Sequence, residues 1–149
     1  MRLVNIVSSL AIAGCSMGNP VVQRAVPVQI QNFHADINSD NSLGTLQFTV
    51  HSPGNNLDDS CNISWNPSGA VQPGMDFNKC AQDHFEFGFR YGLQIENFVL
   101  DLHQVGSTTQ TAYQVLNSEA KDSKWVCTKD PNEGNKESCQ YNGVLSINL

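Results

Sequence analysis

Hydrophobic and polar residues alternate along much of the chain. The clearest stretch places Phe85, Phe87, Phe89 and Tyr91 at every second position, with polar or small residues between them. A period of two predicts β-strands that have one apolar face. Shorter segments with the same pattern are Val26–Ile30, Leu46–Val50, Phe98–Leu102, Tyr113–Val115, Trp125–Cys127 and Leu145–Leu149.

Clusters of Gly, Pro, Asn, Asp and Ser separate these segments and predict turns. The clusters are Ser52–Ser60, Asn66–Asp76, Gly106–Thr109, Asn117–Ser123 and Lys129–Gly143. A helical period does not persist over three turns anywhere, and there is no internal repeat. We therefore expect an all-β fold, a compact antiparallel β-barrel or sandwich of about seven to eight short strands in a single domain.

The amino terminus has the pattern of a secretory signal peptide. Met1 and Arg2 precede an apolar run from Leu3 to Gly14, which is too short to span a bilayer. We predict a leader at residues 1–18, a mature domain at residues 19–149, and a secreted, extracellular protein. A bacterial lipobox ending at Cys15 is the alternative, in which Cys15 would be lipidated.

Length and charge limit the classes of function. The chain has 149 residues, with 8 Lys and Arg against 14 Asp and Glu, for a net charge of −6. Nucleic-acid binding depends on clustered cations, so this balance argues against it. No second apolar run is long enough to cross a membrane, so we predict neither a nucleic-acid nor a membrane partner.

Four cysteines follow the predicted leader, namely Cys61, Cys80, Cys127 and Cys139. An even number in a secreted protein indicates two disulfides, and four cysteines allow three pairings. Zinc is the competing use, but the chain has no C-x-x-C or His-spaced partner. We therefore predict disulfides and no metal.

Signatures of catalysis or of cofactor binding are missing from the mature part of the sequence. The predicted mature domain has no G-x-S-x-G, H-E-x-x-H, phosphate-loop or dinucleotide motif, and the G-x-S-x-G match at residues 14–18 lies inside the predicted leader. His84, beside Asp83 and Glu86, could act as a general base, but solvated residues on a polar strand face explain the pattern better. We predict no catalytic residue and no cofactor.

One short pattern resembles the start of a calcium loop. Asp36, Asn38 and Asp40 alternate, but the sixth position is Asn41 and the twelfth is Gln47, where such loops have Gly and Glu. An Asx-rich turn between two strands is the better interpretation, because Asn and Asp side chains satisfy turn backbone groups.

Three further features are candidate binding or modification sites. Asn62 begins the one N-x-S/T sequon with a permitted middle residue, so it is a possible glycosylation site. Trp65, if presented by a loop, could contact a partner, since Trp is enriched among interface hot spots. The alternating phenylalanines, together with a leucine, form either the core or the wall of a ligand cavity, and the core is the stronger interpretation. These residues are Phe85, Phe87, Phe89 and Leu100.

The order of these features resembles a known family. In sequence these are Ile30-Gln31-Asn32-Phe33, the pair Cys61 and Cys80, Phe85-x-Phe87-x-Phe89, the run Phe98-Val99-Leu100-Asp101-Leu102-His103, and the pair Cys127 and Cys139 before a final strand. Between Val26 and Leu149 the chain looks like the secreted fungal proteins named after the major Alternaria allergen.

The resemblance implies a compact β-barrel with the disulfides Cys61–Cys80 and Cys127–Cys139. It also implies an extracellular protein without enzymatic activity, of the effector, elicitor or allergen kind, that binds a host extracellular protein such as a plant defence protein. Some members carry small phenolic ligands. The founding allergen has an additional Cys that links a dimer, whereas Cys15 here would leave with the leader. We therefore expect a monomer or weak homodimer.

Three hypotheses of function follow. The first is a secreted, non-enzymatic interaction protein. The second is a barrel that carries a small hydrophobic ligand inside the ladder of phenylalanines. The third, an extracellular enzyme, would need a His or a carboxylate pair in a cleft.

Overall fold

The computed structural model describes residues 26–69, 72–74, 76–106, 110–130 and 135–149, with Asn135 by its backbone only. The predicted leader and Cys15 lie outside this part of the chain. The described residues form ten strands: β1 (Val28–Asn38), β2 (Gly44–Ser52), β3 (Leu57–Trp65), β4 (Asn78–Lys79), β5 (Phe85–Phe89), β6 (Asn97–Gln104), β7 (Gln110–Asn117), β8 (Trp125–Lys129), β9 (Asn135–Tyr141) and β10 (Leu145–Ile147). Within these ranges no helix is long and apolar enough to cross a membrane.

Two antiparallel sheets make up the fold. The first sheet has the order β3-β2-β1-β9-β8, and β10 pairs with the beginning of β1. The second sheet has the order β4-β5-β6-β7. The sheets do not close on each other, so the all-β prediction is confirmed in its sandwich form and not as a barrel. The seven alternating segments correspond to seven of the ten strands, and the prediction missed β3, β4 and β9.

Aromatic side chains from both sheets fill the core. Across the sandwich, the ring centroids of Phe48 and Phe87 are 5.1 Å apart and those of Phe98 and Trp125 are 5.6 Å apart. The Trp125 indole Nε1–H also donates to the Ile95 carbonyl at 2.9 Å. A buried indole needs a partner for its N–H, and this bond ties the first sheet to the loop before β6.

A bulge in β1 brings Phe33 into the core. Before it, Val28 and Ile30 point inward, and after it the inward residues are Phe33, Ala35 and Ile37. The register with β2 shifts between Gln31 and His34, and Asn32 adopts a φ of 52°. One extra residue exchanges the two faces of a strand, which keeps both halves of β1 apolar on the inside.

Strand β3 overlaps the predicted turn Ser52–Ser60, and strand β9 lies within the predicted turn Lys129–Gly143. The prediction of these two segments as turns was therefore wrong. Hydrophobic periodicity did not reveal either strand because an acidic residue interrupts the inward positions of each, although β3 also turns Trp65 inward. In β3 the inward residues include Asp59 and Cys61, and in β9 they include Glu137 and Cys139.

Three apolar residues of the alternating segments are exposed. Tyr113 and Val115 lie on the outer face of β7, whose buried inward residue is Leu116. Tyr91 follows the end of β5 in a turn and is 83% exposed. The inward side of β7 is mostly small or polar, so alternation of apolar residues pointed to the wrong face.

Candidate functional site

The four cysteines form two disulfides, Cys61–Cys80 and Cys127–Cys139. Cys61 lies in β3 of the first sheet and Cys80 directly follows β4 of the second, so this bridge joins the sheets. Cys127 and Cys139 are opposite each other on the neighbouring strands β8 and β9. The prediction of two disulfides is confirmed, and the pairing is the one that the family resemblance implied.

A buried carboxylate supports the first bridge. Asp59 is 1% exposed, and its oxygens accept hydrogen bonds from the backbone N–H groups of Gln82, His84 and Phe85 at 2.9, 3.0 and 3.3 Å. Three donors satisfy a charge that burial would otherwise penalise. Asp59 therefore holds the loop after Cys80 against β3, and sequence reasoning missed it.

The four residues that were predicted as either core or cavity wall lie in the core. Phe85, Phe87, Phe89 and Leu100 are all 0% exposed. Phe87 packs edge-on against Phe48 and Phe89, and Phe89 packs edge-on against Phe98. These contacts agree with the interpretation as core.

Trp65 lies at the end of β3 and is buried, at 8% exposed. It pairs in register with Gly44 of β2, and a Cβ at that glycine would overlap the indole ring. The hypothesis that a loop presents Trp65 to a partner is therefore wrong, because an inward strand position and a facing glycine bury the ring.

Asn62 is exposed on the outer face of β3, where it pairs with Gln47 of β2. A glycan there would lie over the polar outer face of the first sheet. Glycosylation itself stays a prediction.

The calcium-like pattern folds as a strand end and a turn. Asp36 accepts a hydrogen bond from the Ser138 hydroxyl, and Asn38 Oδ1 accepts from the backbone N–H groups of Ser42 and Leu43. Hydrogen bonds from Ser42 lower the pKa of Asp40. The Asx-turn interpretation is confirmed by these bonds.

The histidines lie in different places. His34 contacts Gln47, His51 Nδ1 lies 2.7 Å from Asp58 Oδ1, and the His103 ring stacks on Phe77 with centroids 3.8 Å apart. The side chain of His84, the candidate general base, has a buried Nδ1 without a hydrogen-bond partner among the described residues. The described hydrogen bonds link neither Asp83 nor Glu86 to it.

A charged cluster lies beside the second disulfide. Lys129 Nζ is 2.9 Å from Glu96 Oε1 and 3.8 Å from Glu137 Oε1. Burial raises the pKa of Glu137, the negative charge of Glu96 raises it further, and Lys129 partly offsets the rise. The hydrogen bond with Glu96 raises the pKa of Lys129. Cys127 and Cys139 lie within ligand distance of Glu137 but are occupied by their disulfide.

The outer face of the second sheet combines exposed aromatic rings with an arginine. We call it the aromatic face. Tyr91 and Tyr113 are 83% and 59% exposed, Val115 is 53% exposed and Phe77 is 39% exposed. Arg90 lies among them, at the end of β5. Tyr and Arg are among the residues most enriched at the centres of protein interfaces.

Arg90 and Asp101 form an ion pair in the middle of the aromatic face. Arg90 Nε donates to Asp101 Oδ2 at 3.2 Å and its Nη2 donates to Oδ1, which makes a bidentate pair. The guanidinium also lies 4.6 Å from the centroid of the Tyr113 ring. These hydrogen bonds raise the pKa of Arg90 above its usual value. The pair and the stacked ring restrict Tyr113 before any partner arrives.

Two local features make room for this arrangement. Asp101 pairs with Gly88 of β5 on one side and with Tyr113 of β7 on the other. Because Gly88 has no side chain, Arg90 can reach over the position and cover Asp101, which is 5% exposed although it faces outward. The alternation in Phe98–Leu102 puts Asp101 on the polar side of β6, and the one sequence signal for a face here is the alternation of Tyr113 with Val115.

No family model, curated protein or solved structure matches the chain. The fold and the two disulfides therefore rest on the structure, and a function has to be argued from the site.

Proposed function

We propose that this is a secreted, non-enzymatic protein that acts by binding another extracellular protein through the aromatic face. The observation that carries the proposal is the exposed group of Tyr91, Tyr113 and Val115 around the Arg90–Asp101 pair. Tyrosine rings give a large contact area at a low entropic cost, and an arginine adds several bonding modes. In this protein the side chains of Arg90 and Tyr113 already contact each other.

Support for an extracellular location comes from the disulfides. Two bridges in a chain of 149 residues are consistent with an oxidising compartment. The family resemblance suggests the kind of partner, a plant defence protein outside the cell, and a role as effector, elicitor or allergen. The net charge of −6, with 8 Lys and Arg, also favours a protein partner over a nucleic acid.

Binding can be tested with a pair of variants. Tyr91→Ala removes the most exposed ring, while Leu43→Ala removes a side chain that is 48% exposed in the turn between β1 and β2 of the first sheet. Immobilised wild-type protein and both variants are incubated with plant extracellular fluid. The retained proteins are identified by mass spectrometry, and the affinity of a purified candidate is then measured by calorimetry.

We expect one protein to bind the wild type and Leu43→Ala equally. Tyr91→Ala should weaken that binding about tenfold or more, the size of loss typical of a hot-spot ring. Equal affinity for all three proteins would move the interface away from the aromatic face. Binding that persists after reduction and denaturation would show that no folded surface is involved.

A further inference from the structure

Strand β7 leaves one side of its backbone open, and the hydrogen bonds of β6 show which groups are on that side. Val99 O accepts from Arg90 N at 3.2 Å, and Val105 N donates to His84 O at 2.9 Å. The odd-numbered residues of β6 therefore bond to β5. In an antiparallel sheet these directions alternate, so the even-numbered residues of β6 bond to β7.

The partners of those even-numbered residues are Gln110, Ala112, Gln114 and Leu116. The remaining residues of β7, which are Thr111, Tyr113, Val115 and Asn117, consequently turn their N–H and C=O groups to the outer edge. Asn117 O accepts from Ala120 N in the following turn, at 3.4 Å, so Thr111, Tyr113 and Val115 are the three residues that offer both groups to a new strand. In the described part of the chain β7 pairs with β6 alone. The hydrogen bond that the structure shows to the outward groups of Thr111, Tyr113 and Val115 is the one from Gln114 Nε2 to Val115 O, at 3.0 Å.

The other sheet edges carry features that discourage pairing. On the β3 edge, Ser60 O accepts from Ala81 N at 2.8 Å, and the strand carries two aspartates. Strands β4 and β10 have two and three residues, and β8 ends at Lys129. Strand β7 has eight residues without a charge or a proline. Natural sheets usually protect their edges with such charges, prolines or short strands, so β7 is the unprotected edge.

We propose that β7 pairs antiparallel with β7 of a second copy of this chain. The register follows from the three residues whose N–H and C=O groups both point to the outer edge. A two-fold axis that pairs these residues with their copies exchanges Thr111 with Val115, and it therefore passes beside Tyr113. Tyr113 then faces Tyr113 of the second copy, and each Thr111 faces the other copy's Val115. Aromatic and β-branched pairs stabilise neighbouring strands.

Charge favours a second copy as the occupant. A two-fold axis places equal residues near each other, so a charged edge strand would put like charges together. The sequence QTAYQVLN of β7 avoids this problem over its full length. The dimer would have a continuous eight-stranded sheet, made from four strands of each copy, with the two aromatic faces side by side.

Sedimentation equilibrium of the purified full-length secreted protein, from about 1 µM to about 1 mM, tests the pairing. Tyr113→Lys and Tyr113→Glu each place like charges opposite each other on the axis. We expect each variant to raise the dimer dissociation constant about tenfold or more, and an equal mixture of the two to restore association as a heterodimer. Thr49→Lys, on the outer face of the first sheet, is the control and should associate like the wild type.

A second variant leaves Tyr113 and its contact with Arg90 intact. Thr111→Pro removes an N–H that faces the open edge, so the bonds between β6 and β7 are kept while the pairing with a second copy loses donors. We expect it to weaken association as well. A wild type that stays monomeric to about 1 mM, or an association that neither Thr111→Pro nor the charged variants change, would overturn the proposal. No other protein is in the sample, so the result is independent of the proposed function.

Discussion

At the scale of single residues, Asp59 shows how one buried carboxylate organises a loop. Its two oxygens accept three backbone N–H groups from the loop that links Cys80 to β5. The loop residues have few other bonds to the first sheet, apart from the disulfide and the bond from Ala81 to Ser60. The position of the loop therefore depends on the charge and shape of this side chain.

Asp59→Asn should lower the free energy of unfolding by about 2–3 kcal/mol. The side-chain NH₂ group of Asn would replace one carboxylate oxygen, so a side-chain donor would face a backbone N–H that has lost its acceptor. The neighbouring Asp58→Asn is the matched control. Asp58 is exposed and bonds only to His51 among the described side chains, so its replacement should cost less than about 1 kcal/mol. Urea denaturation of both variants measures the difference, and equal midpoints would contradict the role given to Asp59.

At the scale of elements, two of the three strands that periodicity missed, β3 and β9, carry an inward cysteine two residues after an inward acidic residue. In β9 the bridge from Cys139 to Cys127 takes the place of an apolar contact between neighbouring strands. The same strand buries Glu137, so hydrophobic residues contribute little to its attachment. The β8–β9 pair consequently depends on its disulfide more than the other strand pairs do.

Replacing both residues, as Cys127→Ala with Cys139→Ala, should cost about 3 kcal/mol of unfolding free energy by the chain-entropy relation. The sequence separation is 12 residues. Hydrogen exchange should show faster exchange mainly in β8 and β9, since β1 and β2 keep their own ladder. Removing the pair Cys61 and Cys80 instead should speed exchange in both sheets, because that bridge joins them. Identical exchange maps for the two double variants would contradict this separation of roles.

At the scale of the whole molecule, the sandwich has two unlike outer faces. The first sheet presents polar residues such as Gln47, Thr49 and the exposed Asn62, while the second presents the aromatic face. A glycan on Asn62 would therefore cover the polar face and leave the aromatic face free. This division agrees with a secreted protein that binds through one side.

Secretion from a eukaryotic host should give a mature chain that lacks Cys15 and keeps both disulfides. A non-reducing peptide map with intact mass reads the amino terminus, the bridges and any glycan together. Treatment with an N-glycosidase should remove mass from the wild type but not from Asn62→Gln. A mature chain that retains a lipidated Cys15 would contradict the predicted leader and support the lipobox alternative. Free thiols would contradict the proposed oxidising compartment.

The sequence by itself determined the fold class and the main core strands. Apolar residues at every second position, as in Phe85 to Phe89, leave a strand with one buried face, whatever its neighbours are. The count and charge of the residues also pointed to two disulfides and away from nucleic acid. These properties depend on local spacing or on composition, which a single chain displays directly.

Only the tertiary structure decided which residues form the surface that we propose for binding. Trp65 is buried because Gly44 lies opposite it, whereas Tyr113 lies on the outer face of the second sheet beside the Arg90–Asp101 pair. Asp59 is buried because a distant loop brings it three donors. Burial of a polar or aromatic side chain depends on partners far away in sequence, and no local pattern records them.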